Sequence, residues 1–204
     1  MKIKIIFVLC LYSLFNLPPV YSQARGYAIG EPVKDFKLLD VKDNMVSMAE
    51  QGEVKGIIVI FTCNHCPFAK AYEQRIIDLH NKYAEKGFPV IAINSNDPAR
   101  EPEDSYANMQ KRAMEKKYPF PYLFDQTQEV AKAFGARRTP DVFILLKTPK
   151  GFELKYSGTI DDNFDEPQNV KVKYVENALE ELLNGKPVTL TLTKAIGCSI
   201  KWKK

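Results

Sequence analysis

The sequence predicts an α/β fold in which a central mixed sheet is flanked by helices. Gly56 to Thr62 (GIIVIFT) is a continuous β-branched and aromatic run, which is typical of a buried central strand. From Phe68 to Lys86 the apolar residues recur at helical spacing, so a helix follows this strand directly. Phe88 to Ile93 (FPVIAI) is a second buried run, and it completes a β-α-β unit with a right-handed crossover.

The remaining elements surround this unit. Two short segments, 36–40 and 45–48, are separated by Asp43-Asn44, which predicts an N-terminal hairpin. A polar stretch at 94–103 leads into an amphipathic helix from about Asp104 to Lys117, which we interpret as a helical insertion. The pattern then predicts a strand at 121–124, a helix at 128–134, a hairpin of 141–146 with 151–160, and a last helix at 172–183.

Length and composition favour one soluble domain. The 204 residues, 45% hydrophobic and 26% charged, are ordinary for a globular protein of that size. The net charge of +4 is spread along the chain, and the basic run Lys201-Trp202-Lys203-Lys204 lacks a broad basic face with interleaved aromatics. We therefore expect no nucleic-acid partner, and a domain over 23–204 with 185–204 as its C-terminal tail.

Residues 1–22 are typical of a signal peptide. Lys2 and Lys4 precede an apolar stretch from Ile5 to Leu17, and Val20-Tyr21-Ser22 supplies a cleavage site. The alternative is a membrane anchor, but the apolar stretch is shorter than the roughly 20 residues a spanning helix needs. We expect export to the periplasm or the exterior, with Gln23 as the mature N-terminus and Cys10 lost with the signal.

Three cysteines then remain: Cys63, Cys66 and Cys198. A close pair plus one distant thiol in an oxidising compartment indicates redox chemistry rather than a structural disulfide framework. His65 and His80 are the only histidines, and His65 is poorly placed to join its flanking cysteines around one ion, so we expect no metal site. No cofactor motif is present.

The motif Cys63-Asn64-His65-Cys66-Pro67 lies where the strand is followed by the helix. Because a helix N-terminus stabilises a thiolate, we expect Cys63 to be the exposed nucleophile with a low pKa. Cys66, about one turn into the helix, would resolve the mixed disulfide. His65 either adds positive charge near Cys63 and raises its thiolate fraction, or faces solvent with little effect.

A second motif, Thr139-Pro140, immediately precedes the predicted strand at 141–146. With it the chain resembles the thioredoxin superfamily, in which a cis-proline at this position packs against the active-site cysteines. The resemblance implies that the backbone of Thr139 and Pro140 offers strand-like hydrogen bonds to the substrate. The alternative is an ordinary trans-proline at the start of an edge strand.

The chain from about Ile29 to Lys203 also resembles the peroxiredoxin-like subgroup of the redoxins, related to the alkyl hydroperoxide reductase and thiol-specific antioxidant proteins. In true peroxiredoxins the peroxidatic cysteine precedes a proline, which would be Cys66, and a threonine lies three residues earlier, where this chain has Cys63. The peroxidase arginine would fall near Pro140, although Arg137 and Arg138 are close. The matching segments are 61–67 (FTCNHCP), 92–98 (AINSNDP), 158–163 (GTIDDN) and 196–202 (IGCSIKW).

These departures favour an extracytoplasmic thiol-disulfide oxidoreductase that exchanges dithiol and disulfide with protein partners through Cys63 and Cys66. Two alternatives stay open: a thiol peroxidase, and a non-catalytic binding module whose cysteines form an inert disulfide. Cys198 is either a third redox thiol or a small buried side chain, and the alternation of Ile196, Ile200 and Trp202 favours packing. The sequence does not predict the oligomeric state or the direction of electron flow.

Overall fold

A computed structural model describes residues 26–204. Its elements in chain order are β1 (Pro32–Val33), β2 (Lys37–Asp40), β3 (Met45–Ser47), β4 (Gly56–Phe61), α1 (Pro67–Tyr83), β5 (Val90–Asn94), α2 (Tyr106–Lys116), β6 (Tyr122–Phe124), α3 (Glu129–Phe134), β7 (Arg138–Thr139), β8 (Asp141–Thr148), β9 (Gly151–Gly158), α4 (Tyr174–Leu183) and β10 (Cys198–Ser199). Eight of these strands form one sheet in the spatial order β1-β9-β8-β4-β5-β6-β2-β3, and β7 pairs with β10 separately.

The main sheet is mixed, as the sequence predicts. β4, β5 and β6 run parallel, whereas β8 pairs with β4 in the antiparallel direction. The two parallel crossovers contain α1 and the insertion helix α2. The predicted N-terminal hairpin is formed by β2 and β3, and it joins the sheet through β6.

Both faces of the sheet are covered, which explains the uninterrupted apolar run of β4. Ile58 and Ile60 point into one apolar cluster, where the helices α1 and α4 supply Tyr72, Ile76 and Leu179. The intervening residues of β4 point into a second cluster on the opposite face, built with α3 and the N-terminal hairpin; its members include Ile57, Val59, Phe61, Phe134, Phe36 and Met48. Alternate strand residues thus fill two cores, one on each face of the sheet.

Three short strands differ from the sequence expectation. β1, β7 and β10 have two residues each, too few to produce an alternation that could be recognised in the sequence. The insertion helix also begins differently, because a 3₁₀ turn at Pro102–Asp104 precedes α2. The other predicted strands and helices are present with small shifts of their ends.

The register of β4 with β8 brings distant parts of the chain to one edge of the sheet. Phe61, the last residue of β4, is opposite Asp141, the first residue of β8. The residues that follow Phe61 and those that precede Asp141 therefore lie side by side. This arrangement places Cys63 next to Thr139.

The predicted signal peptide at 1–22 and Gln23 lie outside the described residues. Among residues 26–204, no helix is long and apolar enough to span a membrane.

Candidate active site

The strand-to-helix junction carries the two cysteines, but Cys66 does not lie one turn inside the helix as we expected. α1 starts at Pro67, so Cys66 is its N-cap residue and Cys63 lies in the preceding loop. Proline fits this first position, where the missing N–H has no intrahelical partner. The partial positive charge of the helix N-terminus consequently lies at Cys66, and not at Cys63 as we expected from the sequence.

Thr139 contacts both thiols, and the Thr139-Pro140 peptide bond is cis, as the sequence predicts. The Sγ of Cys63 lies 3.1 Å from the hydroxyl oxygen of Thr139, and the Sγ of Cys66 lies 3.2 Å from its carbonyl oxygen. Thr139 is 1% exposed. It therefore fixes the positions of both sulfurs against the start of β8.

Cys66 is surrounded by hydrogen-bond donors. The Cys63 thiol lowers the pKa of Cys66, and the thiol and backbone amide of Cys198 act in the same direction, whereas burial opposes them. That amide nitrogen lies 3.4 Å from the Sγ of Cys66. The Thr139 carbonyl opposes these groups, since it accepts the proton when Cys66 is a thiol. Because Cys66 is the N-cap residue of α1 and accepts from the Cys198 amide, the geometry favours the thiolate at Cys66 over Cys63 in the reduced pair.

Cys63 does not have the environment we expected from the sequence. It is 4% exposed, so it is not an exposed nucleophile, and Cys66 is fully buried. Its hydrogen bond to Cys66, its burial and the carboxylate of Asp104 raise the pKa of Cys63. The expected order of acidity is therefore reversed, with the pKa of Cys63 raised and the pKa of Cys66 lowered.

A buried carboxylate, Asp104, organises the loop between the cysteines. It is 0% exposed, and its oxygens accept the backbone N–H of Asn64 at 2.6 Å and Nδ1–H of His65 at 2.6 Å. The side-chain amides of Asn94 and Asn96 donate to the same carboxylate at 3.3 and 2.7 Å. Four donors converge on Asp104, which matches the rule that buried charges are hydrogen-bonded.

This network changes the interpretation of His65. Its Nδ1 faces Asp104, and its Nε2 lies 3.6 Å from a carboxylate oxygen of Glu101. Two carboxylates offset any positive charge on the ring, so the geometry does not favour the expected increase in the thiolate fraction of Cys63. His65 instead ties the cysteine loop to the insertion.

The sequence analysis did not identify Asn64, Asn94, Asn96 and Asp104 as site residues. A detectable signal was present, because Asn94 ends a buried strand that is parallel to β4 and Asn96 lies two residues beyond that end. Parallel strands carry such residues to the same sheet edge as the cysteine loop. Asp104 had no comparable local signal, because its role depends on the fold of the insertion.

The C-terminal tail covers the substrate-binding edge that the resemblance implied. β10 pairs with β7, with Cys198 opposite Thr139 and Ser199 opposite Arg138. The strand-like hydrogen bonds expected for a substrate are made here within the chain, for example from Ile200 N–H to the Arg137 carbonyl at 3.0 Å. Cys198 is partly exposed and adjoins the cysteine pair, so packing alone does not describe its position.

Within residues 26–204, one group of side chains is close enough together to hold a metal ion. Ligand atoms of Cys63, His65 and Asp104 lie within 4.8 Å of one another. However, the carboxylate of Asp104 already accepts hydrogen bonds from four donors, and His65 uses Nδ1 for one of them. These contacts give the cluster a complete hydrogen-bond arrangement of its own.

Comparison with known proteins identifies relatives over most of the chain. Thiol-disulfide oxidoreductase ResA of Halalkalibacterium halodurans is 26% identical over 146 residues, which cover 71% of this chain and 78% of the relative. An uncharacterized conserved protein from Geobacillus kaustophilus is 41% identical in its crystal structure, with a TM-score of 0.78, covering 86% of this chain and 93% of that one.

A more distant structure supports the fold. The exposed lipoprotein thioredoxin Etrx1 of Streptococcus pneumoniae strain TIGR4 is 16% identical and has a TM-score of 0.54, covering 74% of this chain and 99% of that one. The fold is thus thioredoxin-like. The family model of the AhpC/TSA family matches residues 29–163, which include the cysteine loop, the insertion and the Thr139-Pro140 segment. The chain belongs to the AhpC/TSA family and is a thioredoxin-like oxidoreductase.

Proposed function

We propose that this protein is an extracytoplasmic thiol-disulfide oxidoreductase that exchanges electrons with protein thiols and disulfides through Cys63 and Cys66. The observation that carries the proposal is the contact of both sulfurs with Thr139 beside the N-terminus of α1. A thiolate stabilised by a neighbouring thiol can attack an external disulfide, and that neighbour can then release the product. The naming of a relative as a thiol-disulfide oxidoreductase agrees with this chemistry.

The reversed acidities define the roles of the two cysteines. Cys66 attacks one sulfur of the partner disulfide, the partner's other sulfur leaves as a thiolate, and a mixed disulfide forms. Cys63 then gives up its proton and attacks Cys66, which forms the Cys63–Cys66 disulfide and releases the second partner thiol. One partner disulfide is reduced and one dithiol of this protein is oxidised, so the electrons balance.

Thr139 and Pro140 belong to the proposed substrate surface. The proposed extracytoplasmic location rests on the export predicted from residues 1–22. Since β10 occupies the edge of β7, a partner strand must displace the tail before it can pair with Thr139. His65 contributes by holding the cysteine loop against Asp104.

The test is insulin reduction by the reduced protein, combined with a reduction potential measured against glutathione. Cys63→Ser and Cys66→Ser should each abolish turnover, whereas Cys10→Ser should retain it, because Cys10 lies in the predicted signal peptide. Insulin reduction that survives in Cys66→Ser, or no disulfide between Cys63 and Cys66 on oxidation, would refute the proposal.

A thiol peroxidase is the second candidate, and the low pKa of Cys66 before Pro67 favours it. However, Cys63 stands at the threonine position, and the guanidinium of Arg138 donates to the carbonyl of Gly197. Losing one positioned donor typically slows a reaction by roughly 10²- to 10³-fold. We expect hydrogen peroxide to oxidise the reduced protein correspondingly slower than it oxidises a dedicated peroxidase in stopped-flow measurements. Fast oxidation that is abolished in Cys66→Ser and sharply reduced in Arg138→Ala would favour the peroxidase instead.

A further inference from the structure

Cys198 lies next to the redox pair although 132 positions separate it from Cys66. Its backbone nitrogen is 3.4 Å from the Sγ of Cys66, and its side chain packs against the small cluster formed by Cys63, Cys66 and Ala69. Cys63 and Cys66 are buried, whereas Cys198 is partly exposed. Among the cysteines within residues 26–204, Cys198 is therefore the one that an external thiol can reach directly.

Several contacts define this position of the tail. A Cβ atom on Gly197 would lie 2.2 Å from the carbonyl oxygen of Thr139, so only glycine permits the close approach of the two backbones. Ile200 is 3% exposed in the core, and the N–H of Lys201 donates to Oδ1 of Asn96 at 2.8 Å. Gln128 adds a hydrogen bond to the Lys201 carbonyl at 2.9 Å. The proximity of Cys198 to Cys66 is thus built into the packing of the tail.

We propose that Cys198 is a third redox thiol that exchanges with the Cys63–Cys66 disulfide and connects it to the protein surface. The proposal rests on the proposed function of that pair. In this step the Cys198 thiolate attacks the Sγ of Cys66, the Cys63–Cys66 bond breaks, and Cys63 leaves as a thiolate that takes up a proton. One disulfide replaces another, so the step needs no external oxidant or reductant.

The Cys66–Cys198 disulfide can then exchange with external thiols. An external thiol attacks Cys198 in the Cys66–Cys198 disulfide, frees Cys66 and forms a mixed disulfide on the surface, and a second external thiol releases Cys198. The protein disulfide is reduced to two thiols and two external thiols become one disulfide. The cationic side chains of Arg138 and Lys201 act to favour a thiolate at Cys198.

The charge on Cys66 also changes the pKa of Cys198, the attacking thiol. Burial and the hydrogen bond to Cys66 raise the pKa of Cys198 to about 11 in the reduced protein. A disulfide sulfur carries no negative charge, so the contribution of Cys66 is absent once Cys66 is bonded to Cys63. Cys198 therefore loses its proton more readily in the oxidised protein, which is the state in which the exchange requires its thiolate.

The first experiment maps disulfides in the full-length chain carrying Cys10→Ser. With Cys63→Ser added, oxidation by diamide should link Cys66 to Cys198 in most molecules, as read from peptides by mass spectrometry without reduction. The matched control moves the thiol by one residue, with Cys198→Ser and Ser199→Cys on the same background. Successive strand residues point to opposite faces, so the control should form little of the link. Absence of the Cys66–Cys198 link, or equal linking in the control, overturns the proposal.

The second experiment measures how fast glutathione reduces the Cys63–Cys66 disulfide. Cys198→Ser should slow this reduction by about tenfold or more, because exchange then requires direct access to buried sulfurs. An unchanged rate overturns the proposal. The two proposals fail separately: a Cys198→Ser protein that forms no Cys63–Cys66 disulfide contradicts the proposed function, whereas one that forms it and reacts at the wild-type rate contradicts only the role of Cys198.

Discussion

The two segments that flank the redox pair hold it by different means. The insertion flank, residues 94–104, binds the cysteine loop through side chains, above all the fully buried Asp104. The tail flank, residues 197–201, binds through backbone pairing to β7 and is partly exposed. Separating a buried carboxylate from its four donors costs much free energy, whereas unpairing a two-residue strand from its neighbour costs little. The comparison indicates a fixed side and a displaceable side of one site.

The largest effect we expect concerns the insertion flank. Asp104→Ala should lower the free energy of unfolding by roughly 3 to 5 kcal/mol, because it leaves buried donors of Asn64 and Asn96 without their acceptor. Urea denaturation measures this effect. The matched control is Glu103→Ala, whose side chain is exposed, and it should change stability by less than about 0.5 kcal/mol. Similar losses in both variants would show that Asp104 does not hold the loop.

The second prediction concerns Asp141, which follows the strand that binds the tail flank. Burial raises the pKa of Asp141 to about 7, against an ordinary value of 3.8. The folded protein therefore binds a proton more tightly than the unfolded chain does. This contribution to stability is fully present below about pH 4 and is lost as the pH rises through 7, a fall of roughly 2 to 4 kcal/mol.

Asp141→Asn should remove this pH dependence, since its amide oxygen can still accept the Arg137 N–H at no cost of ionisation. Urea denaturation between pH 4 and 8 should give a flatter profile than in the unmodified protein, and higher stability at pH 8. The exposed Asp165→Asn is the control and should keep the original slope. A slope that persists in Asp141→Asn would assign it to another group.

The third prediction tests the displaceable side. Gly197→Ala should push β10 away from Thr139, because the added Cβ meets backbone atoms that cannot move aside. We expect a loss of roughly 1 to 3 kcal/mol in unfolding free energy. Faster alkylation of Cys66 by iodoacetamide should accompany it, whereas Lys194→Ala, an exposed change in the same tail, should alter neither. Unchanged alkylation would mean that the tail does not shield the pair.

The sequence predicted the sheet and the position of the redox pair better than the two segments that flank the pair. β4 and α1 are long and periodic, so local patterns indicate both elements and the position of Cys63 and Cys66 between them. The same patterns could not indicate which cysteine is more acidic. That property depends on the helix beginning at Pro67 and on donors from Cys198, which is remote in the sequence.

The pairing of the tail with β7 could not be predicted from the sequence for a related reason. β7 and β10 are two residues long, and the tail is held by contacts with Asn96 and Gln128 that lie far from it in the chain. The alternation of apolar residues around Cys198 correctly indicated that Ile200 is buried. It could not show that this packing brings the thiol to Cys66.

The smallest effect we expect measures how much the tail flank contributes to the low pKa of Cys66. Cys198→Ala removes one thiol donor to Cys66 but leaves the backbone amide in place. The pKa of Cys66 should therefore rise by about 0.5 to 1 pH unit, equivalent to ~1 kcal/mol of thiolate stabilisation.

Absorbance of the thiolate at ultraviolet wavelengths, followed against pH in the reduced protein, reports this titration separately from Cys63, whose pKa is raised. Ser199→Ala, on the opposite face of β10, should leave the titration unchanged. A titration that does not move in Cys198→Ala would exclude the Cys198 thiol as a source of the low pKa, and would leave Cys63, the start of α1 and the Cys198 amide.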